Sequence, residues 1–436
     1  MTILGVVGVF LAIVAIIYWT TKNLNVMVAA PLASLIVALT NQMPILETML
    51  GKEQSYMTGL AGFLINNFAI FMLGSILAKY MEASGATQTI ANSILRVVGK
   101  ESPYKVLLAI VLIASLLTYG GVSLFVVIFT LLPLSRPLFK ELNINWELFP
   151  IPVFLGVSTL TMSSLPGTPS IHNAVPTKVL GTTLTAAPLL SLVSSLILVV
   201  FGLTYMRFAL KKSMARNEGY TERDEEIVIT DNANLPNLVL ASLPMLSLVA
   251  TIYIFQKTPY ILVVGLTVAI LASGLLFRKN LVNQQTLLNE GTTASVLPAF
   301  VTSSTVAFGT VLAMSSGFLL IQDWIGQISG SPLISLSVST ALIGGIIGSS
   351  SGAVGIAASN FLPAYLDSGI DPQVLHRVTV IASAVLTVVP QSGVMITFHN
   401  LAKLSMKRGL KHSFIVVNIG HLLALIAVLI LAQLLY

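Results

Sequence analysis

Residues 332–366 read PLISLSVSTALIGGIIGSSSGAVGIAASNFLPAYL, with the sequence GSSSG at residues 348–352 in the middle. The run is longer than the roughly 20 residues that one crossing of a bilayer needs. Glycine and serine suit a tight turn between two short helices. We therefore predict a re-entrant hairpin that enters and leaves the membrane on one side. Residues 104–134 form a second long apolar run, which TYGGVS at residues 118–123 interrupts in the same way.

The composition of the whole chain is typical of a membrane protein. Of its 436 residues, 55% are hydrophobic and 9% are charged, whereas about 25% are charged in a soluble domain. The apolar runs are 2–18, 25–40, 57–81, 104–134, 149–177, 183–208, 237–255, 260–277, 294–321, 332–366, 375–401 and 414–435. The first lacks a basic region and a cleavage site, so we interpret it as a retained helix and not a signal peptide.

Cysteine and charge exclude several classes of function. The chain has no cysteine, which excludes disulfides, thiolate metal sites and a cysteine nucleophile. Its net charge is +6, but no basic block alternates with aromatic residues, so nucleic acid is not a predicted partner. The lipid bilayer is the partner that the composition predicts.

Each long interrupted run is followed by a run that proline and glycine interrupt. The sequence LPGTPS at residues 165–170 lies in the first, and VPQSG at residues 389–393 lies in the second. Proline removes a helical donor, and Thr168 before Pro169 is typical of an N-cap followed by the first helical residue. Interrupted segments at corresponding positions of two halves indicate a transporter binding site.

The two halves of the chain repeat each other. Ser102-Pro103 and Ser331-Pro332 are 229 residues apart, and His172-Asn173 and His399-Asn400 are 227 apart. We predict a first repeat over residues 1–210, a cytoplasmic linker over 211–236 and a second repeat over 237–436.

The positions of the basic residues predict the topology. Five crossing helices plus one hairpin in each half, with the N-terminus outside, place 18 of the 22 lysines and arginines inside, as the positive-inside rule requires. An odd number of crossings inverts the second half. We therefore predict an all-α polytopic protein of the bacterial inner (plasma) membrane, with two inverted repeats, a broken helix in each, and both termini outside. Arg377 falls outside, near a predicted span end, where its side chain is expected to reach the membrane surface.

Several stretches resemble one known family. They are residues 74–102, which begin GSILAKYMEASGA, residues 117–126 and 164–177, and residues 375–398, which contain PQSGVMIT. Over nearly the whole chain they resemble the gluconate:proton symporter (gluconate permease) family, within the ion transporter superfamily. The resemblance implies proton-coupled uptake of a sugar acid or short hydroxy-carboxylate. By superfamily analogy it implies a homodimer of elevator type, with a static scaffold and a moving transport domain.

The sequence departs from the gluconate branch at two places. That branch has histidine where Gly167-Thr168 stand and where Gln391 stands. A smaller acid, such as 3-hydroxybutyrate or lactate, is therefore a candidate substrate beside gluconate.

Helix ends offer an anion site without a buried cation. Each helix N-terminus has free N–H groups and roughly half a positive charge, and serine or threonine hydroxyls add donors. The competing interpretation is close helix packing, because Gly344, Gly348 and Gly352 form successive Gly-xxx-Gly steps. The predicted substrate-binding residues are Tyr119, Gly120, Gly121, Ser123, Ser164, Gly167, Thr168, Asn173, Ser349, Ser350, Ser351, Gly352, Gln391, Ser392, Gly393 and Asn400.

Three residues are candidates for carrying a coupling proton. His172 and His399 follow the two helix breaks, and histidine titrates near physiological pH. The alternative is that each histidine only satisfies a freed carbonyl group. Glu82 is the rival carrier, with an interfacial carboxylate as its alternative role. His421, in the last span, is interpreted as a packing or interface residue.

The function expected from these features is proton-coupled import of a small organic anion by a secondary active transporter. The alternatives are a sodium-coupled carboxylate transporter, or an ion channel or cation–proton exchanger on the same fold. Exchangers usually hold carboxylates deep in the membrane, and no Asp or Glu lies near the centre of a predicted span. The GSSSG match to a nucleophile elbow lacks the strand-to-helix turn that the motif needs. No enzyme activity, metal or cofactor is expected.

Overall fold

The structure is a computed structural model that describes residues 3–22, 24–98, 102–119, 124–168, 170–221, 235–255, 260–281, 283–326, 331–367 and 369–435. Regular structure in these ranges is helical, without a strand. The expected all-α fold is confirmed.

The described helices of the first half cover its predicted apolar runs, and two further helices lie between those runs. The helices of this half are α1 (Ile3–Thr21), α2 (Val26–Thr40), α3 (Ile45–Leu50), α4 (Tyr56–Ala83), α5 (Ala86–Val98), α6 (Pro103–Tyr119), α7 (Leu124–Glu141), α8 (Pro150–Phe154), α9 (Ile171–Leu180) and α10 (Pro188–Ala215). A 3₁₀ turn (Trp146–Leu148) precedes α8, and a π-helical segment (Leu155–Ser164) follows it.

The second half continues the same pattern. Its described helices are α11 (Leu238–Ile254), α12 (Ile261–Leu276), α13 (Gln284–Met314), α14 (Ser316–Gly326), α15 (Pro332–Ile347), α16 (Ser350–Asn360), α17 (Leu362–Asp367), α18 (Pro372–Ser383), α19 (Gly393–Ala402), α20 (Met406–Phe414) and α21 (Gly420–Leu435). A second π-helical segment, Ile415–Ile419, joins α20 to α21.

Five of the described helical stretches are long and apolar enough to cross a membrane. They are Ile3–Thr20, Tyr56–Ala83, Pro188–Ala215, Gln284–Met314 and Met406–Leu435. Shorter apolar helices include α2, α6, α11, α12 and α15. This pattern fits the membrane protein that the composition predicts.

Three helices, α3, α5 and α20, are not among the predicted apolar runs. Each has fewer than 20 residues, and α5 and α20 combine an apolar face with a polar one. A search for continuous apolar runs does not detect such helices, because the polar residues of an amphipathic helix interrupt the run at every turn.

The chain divides into two compact units that do not follow the two sequence halves. Unit 1 comprises Met1–Asn67, Ser158–Val200 and Pro298–Tyr436, and unit 2 comprises Phe68–Val157 and Phe201–Leu297. Each unit therefore takes residues from both halves. The predicted division into repeats and linker remains a prediction about sequence.

Unit 1 has two apolar cores. In the first, buried residues of α1, α2, α13 and α14 pack together, with Phe308 and Phe318 among the largest. In the second, α18 lies among α9, α15, α16 and α21. The second core thus includes both helices that flank the GSSSG sequence, α15 and α16.

Unit 2 is built around aromatic contacts and helix pairs. Phe71 on α4 packs on Phe125 and Phe129 of α7, and Trp146 stacks on Phe149 with ring centroids 4.4 Å apart. Helix α5 packs on α7 and α11, and α11 pairs with α12. Lys79 and Glu290 form a partly exposed ion pair at 3.7 Å.

In unit 1, Asn41 joins three helices. Its Nδ2 donates to the carbonyls of Val37 and Gly5, and its Oδ1 accepts from the Gly317 amide at 2.6 Å. A Cβ atom added at Gly317 would lie 2.3 Å from the Gly5 carbonyl carbon. The backbones of α1 and α14 therefore approach so closely that a side chain does not fit between them.

The Gly317→Ala substitution should force α1 and α14 apart and weaken the Asn41 hydrogen bond. We expect it to destabilise the protein by about 1–3 kcal/mol, as overpacking usually does. The matched control is Gly62→Ala on α4, where an added Cβ meets nothing within 4 Å and alanine favours the helix. Thermal unfolding of both purified variants measures the difference, and equal melting temperatures would contradict the packing described here.

Candidate functional site

The GSSSG sequence forms a turn between α15 and α16. Gly348 has a φ of 68°, a left-handed conformation that suits glycine, and Ser349 caps α16 by accepting from the Gly352 amide at 3.2 Å. Ser351 Oγ lies 3.2 Å from Ser349 Oγ, and Ser350 Oγ lies 2.7 Å from Ser383 Oγ. The serine hydroxyls therefore lie around the N-terminus of α16.

This turn ends α15, which corrects the packing interpretation of the three glycines. Because α15 ends at Ile347 and α16 begins at Ser350, Gly344, Gly348 and Gly352 do not share one helix face. Gly344 has a packing role of its own, since an added Cβ would lie 2.9 Å from the Ser383 carbonyl oxygen.

Residues 389–392 of the VPQSG sequence lie in the non-helical segment between α18 and α19 and contact the GSSSG turn. A Cβ added at Gly348 would lie 3.0 Å from Ser392 Cα. Gln391 Nε2 donates to the Gly345 carbonyl at 3.0 Å, whereas Gln391 Oε1 is buried without a partner. The structure thus brings the two glycine- and serine-rich segments of the second half together.

An amide side chain from the last helical stretch holds this segment. Asn418 Oδ1 accepts from the Val388 amide and Asn418 Nδ2 donates to the Val388 carbonyl, both at 3.1 Å. Gly393 begins α19, and an added Cβ would lie 3.3 Å from Thr302 Cγ2 on α13. Thr302 in turn hydrogen-bonds Thr397 on α19.

The first-half interruption lies between the π-helical segment and α9. Gly167 has a φ of 80° and its amide donates to the Leu184 carbonyl at 3.0 Å. Asn173 Nδ2 donates to the carbonyls of Thr168 and Leu184, at 3.0 and 2.7 Å. The peptide groups freed by the interruption therefore find partners within unit 1.

The predicted N-cap at Thr168 is wrong. Helix α9 begins at Ile171, and Ser170 is its N-cap because Ser170 Oγ accepts from the Asn173 amide at 3.3 Å. Thr168 is buried, and its hydroxyl lies 3.5 Å from the Leu165 carbonyl, which is long for a hydrogen bond. The Thr168 hydroxyl therefore forms only a weak hydrogen bond with the local backbone.

The other predicted binding residues lie in different surroundings. Ser164 is buried and its hydroxyl is 3.0 Å from that of Ser194. Asn400 is exposed at the end of α19, unlike its sequence counterpart Asn173. Tyr119 ends α6 in unit 2 with its side chain exposed. Gly120, Gly121 and Ser123 lie outside the described residues.

The predicted proton carriers occupy both units. His172 and His399 are buried in unit 1, with Nδ1 atoms 3.3 Å from the Met162 carbonyl and 2.6 Å from the Met395 carbonyl. His399 Nε2 is buried beside the backbone of Gly409 on α20. Glu82 lies near the end of α4 in unit 2, and its charged neighbours are Lys79, Arg136 and Glu290.

His421 is more than a packing residue. It is fully buried, and its Nε2 lies 2.6 Å from Ser163 Oγ of the π-helical segment. Its Nδ1 lies 2.7 Å from the Val417 carbonyl, so Nδ1 donates there. His421 therefore links α21 to the segment that precedes the first interruption.

Sequence reasoning missed the polar face of α18. Gln373, His376 and Arg377 follow the i, i+3, i+4 spacing that places side chains on one helix face. Gln373 Oε1 accepts from the Ala187 amide at 3.1 Å. His376 Nε2 donates to Asn173 Oδ1 at 2.9 Å, and His376 Nδ1 accepts from the Thr182 hydroxyl at 2.7 Å.

Arg377 does not reach the membrane surface, so that expectation is wrong. Its side chain is 0% exposed, and its Nε and Nη2 donate to the Ala186 carbonyl at 3.3 and 3.1 Å. Nη2 also lies 3.4 Å from the Leu184 carbonyl. The i, i+3, i+4 spacing of three polar residues could have indicated this buried polar face, because a helix that faces lipid lacks such a row of polar side chains.

Known proteins resemble this chain in sequence, and a solved structure can be aligned with it. Residues 1–260 match the profile of the GntP family permeases. The uncharacterized transporter YxjC of Bacillus subtilis (strain 168) is 31% identical over 458 aligned residues, covering 93% of this chain and 94% of the relative. The crystal structure of the YdaH transporter of Alcanivorax borkumensis aligns with a TM-score of 0.46 and 16% identity, over 87% of each chain.

The profile covers more than half of the chain, and the Bacillus relative covers nearly all of it. The family resemblance noted in the sequence is thereby confirmed. The chain belongs to the GntP permease family, and it is a membrane transport protein rather than an enzyme.

Proposed function

We propose that this permease is a secondary active transporter that imports a small organic anion, coupled to protons. The substrate class is a sugar acid such as gluconate or a short hydroxy-carboxylate. The observation that carries the proposal is the contact between the Gly348 turn and Ser392, because it joins the N-termini of α16 and α19. These two helix ends lie in a transport protein whose family suggests an organic anion as substrate.

The anion would be bound by backbone N–H groups and hydroxyls. The first N–H groups of a helix lack intrahelical acceptors and carry partial positive charge. In α16, Ser349 Oγ satisfies the Gly352 amide, which leaves earlier N–H groups to face a ligand. Ser351, Ser392 and Thr168 would add hydroxyl donors. We assign the substrate site to the predicted residues of the GSSSG turn and of residues 167–168, to Ser392, and to Gln391 and Asn173.

We also propose the inverted-repeat architecture. Its support is the order of the sequence pairs and the two corresponding interruptions, one before α9 in the first half and one between α18 and α19 in the second. The elevator mechanism and the homodimer come from the superfamily analogy. That each compact unit takes residues from both halves is compatible with a scaffold and a transport domain. Both termini would lie outside the bacterial inner membrane.

The coupling proton would be carried by His172, His399 or Glu82. Both histidines are buried in unit 1, where the candidate binding segments lie, and we favour them for that reason. Replacing the carrier with glutamine, which does not titrate (His172→Gln, His399→Gln or Glu82→Gln), should abolish accumulation while substrate exchange continues. Unimpaired accumulation in all three variants would exclude all three as the carrier.

Two other functions remain as alternatives, a sodium-coupled carboxylate transporter and a channel or cation–proton exchanger on the same fold. Within the described residues, no group of three or more His, Cys, Asp and Glu could hold a metal ion. A sodium site would then have to be built from carbonyl and hydroxyl oxygens. The buried Gln391 Oε1 without a partner favours such a site.

Uptake by proteoliposomes tests the proposed function. Lactate, 3-hydroxybutyrate and gluconate are offered to the purified full-length protein under an imposed proton gradient, a sodium gradient or neither. We expect accumulation of at least one acid with the proton gradient, and exchange of labelled for unlabelled acid without any gradient. Accumulation driven by sodium alone would support the first alternative, and flux without counterflow would indicate a channel.

Substitutions in the GSSSG turn test the site. Ser351→Ala should raise the dissociation constant two- to twelve-fold, because one neutral hydrogen bond contributes about 0.5–1.5 kcal/mol. Gly352→Ala should weaken binding through steric hindrance without unfolding, since the added Cβ would meet its neighbours at 3.4 Å, an ordinary contact distance.

The matched control is Ser337→Ala on α15, where a buried hydroxyl donates only to the Leu333 carbonyl at 2.7 Å. It should leave the dissociation constant unchanged. Binding to the three purified variants is measured together with their melting temperatures. Wild-type affinity in well-folded Ser351→Ala and Gly352→Ala proteins would place the substrate elsewhere.

A further inference from the structure

Arg377 carries a buried charge that its protein partners only partly satisfy. Its three hydrogen bonds all go to backbone carbonyls, those of Leu184 and Ala186, and its Nη1 atom is buried without a partner. The guanidinium group stays protonated in proteins and has five N–H donors. Nε and Nη2 form the edge that faces the carbonyls, so the donors of Nη1 are left for another acceptor.

No protein anion balances this charge in the part of the chain that the structure describes. Arg377 forms no ion pair with any described Asp or Glu. Asp371, six residues earlier, instead accepts from the Gln373 amide at the N-terminus of α18. A buried charge without a counter-ion is costly, and an ionisable residue within a membrane protein of this kind usually has a functional partner.

The position of the charge connects it to the candidate site. The Leu184 carbonyl accepts from three donors, the Gly167 amide, Asn173 Nδ2 and Arg377 Nη2. Gly167 and Asn173 belong to the first-half interruption, and all three residues lie in unit 1. The guanidinium group therefore lies one carbonyl group away from the turn that we assign to substrate binding.

We propose that Arg377 is the fixed positive charge of the substrate site, with Nη1 donating to one carboxylate group of the transported anion. This proposal rests on the proposed function and narrows it to monocarboxylates. Of the lysines and arginines whose burial is described, Arg377 alone is buried. A second carboxylate group on the substrate would therefore be buried without a cation.

The competing role is purely structural. In that role Arg377 only fastens residues 182–187 to α18, as its neighbour Gln373 does through the Ala187 amide. Gln373→Ala is therefore the matched control, because it removes a clamp from the same segment and the same helix face without removing charge. Ala187 has a φ of 43°, so the loss of this clamp should be visible as lower thermal stability.

The test measures binding of lactate, 3-hydroxybutyrate and succinate, and melting temperatures, on the purified full-length protein. Arg377→Gln should raise the dissociation constant for the monocarboxylates at least tenfold, since a hydrogen bond to a charged group contributes about 1.5–3 kcal/mol. Arg377→Lys should retain part of the affinity. Gln373→Ala should lower the melting temperature and leave the dissociation constant within about twofold of wild type.

Unchanged monocarboxylate affinity in a folded Arg377→Gln protein would overturn the proposal and leave the proposed function intact. If Arg377→Gln does not fold, the wild-type protein still decides: the proposal expects succinate to bind at least tenfold more weakly than lactate or 3-hydroxybutyrate, and equal binding would overturn it. Failure of the wild-type protein to bind or transport lactate, 3-hydroxybutyrate or gluconate would instead refute the proposed function.

Discussion

In a membrane, every backbone N–H and C=O group needs a hydrogen-bonding partner within the protein, because lipid offers none. A continuous helix meets this need by itself, whereas each interruption frees several groups. At two interruptions in unit 1, amide side chains supply several of these partners. Asn418 bonds both polar groups of Val388, and Asn173 bonds the carbonyls of Thr168 and Leu184. The arrangement of α9, α18 and α19 depends on these few amide groups.

This constraint also supports our proposal that the interruptions form the ligand site. Once the amide side chains satisfy the carbonyl ends, the helix N-termini keep unpaired N–H groups with partial positive charge. Serine hydroxyls lie beside them at α16. Arg377 adds a full charge whose free nitrogen is buried in the same unit. The hydrogen bonds that stabilise the interrupted helices therefore also leave donors available, in our proposal, for a small anion.

The local features of the candidate site were predictable, and its long-range contacts were not. Glycine, serine and proline mark the turns at residues 165–170, 348–352 and 389–393, because these residue types have strong local backbone preferences. The N-cap was misplaced by two residues, from Ser170 to Thr168. Local sequence cannot show that the Ser170 hydroxyl reaches the Met162 carbonyl at 2.8 Å.

Contacts between distant residues decided the rest. Arg377 bonds a carbonyl 191 residues away, and His421 bonds a serine 258 residues away. Hydropathy placed Arg377 near a span end, since a scan along the chain cannot tell a buried cation from one at the membrane surface. The π-helical segment Leu155–Ser164 also has no simple sequence signature, although such segments are frequent at functional sites.

The position of a bound anion tests the central claim most directly. A crystal of the full-length protein grown with a bromine-substituted short carboxylate, shown by competition to share the substrate's site, would reveal that position through the anomalous scattering of bromine. The account predicts a single peak in unit 1, with its carboxylate within hydrogen-bonding distance of Arg377 Nη1 and next to the Gly167 and Ser349–Gly352 turns. A peak in unit 2, or one whose carboxylate is bound by surface lysines, would contradict it.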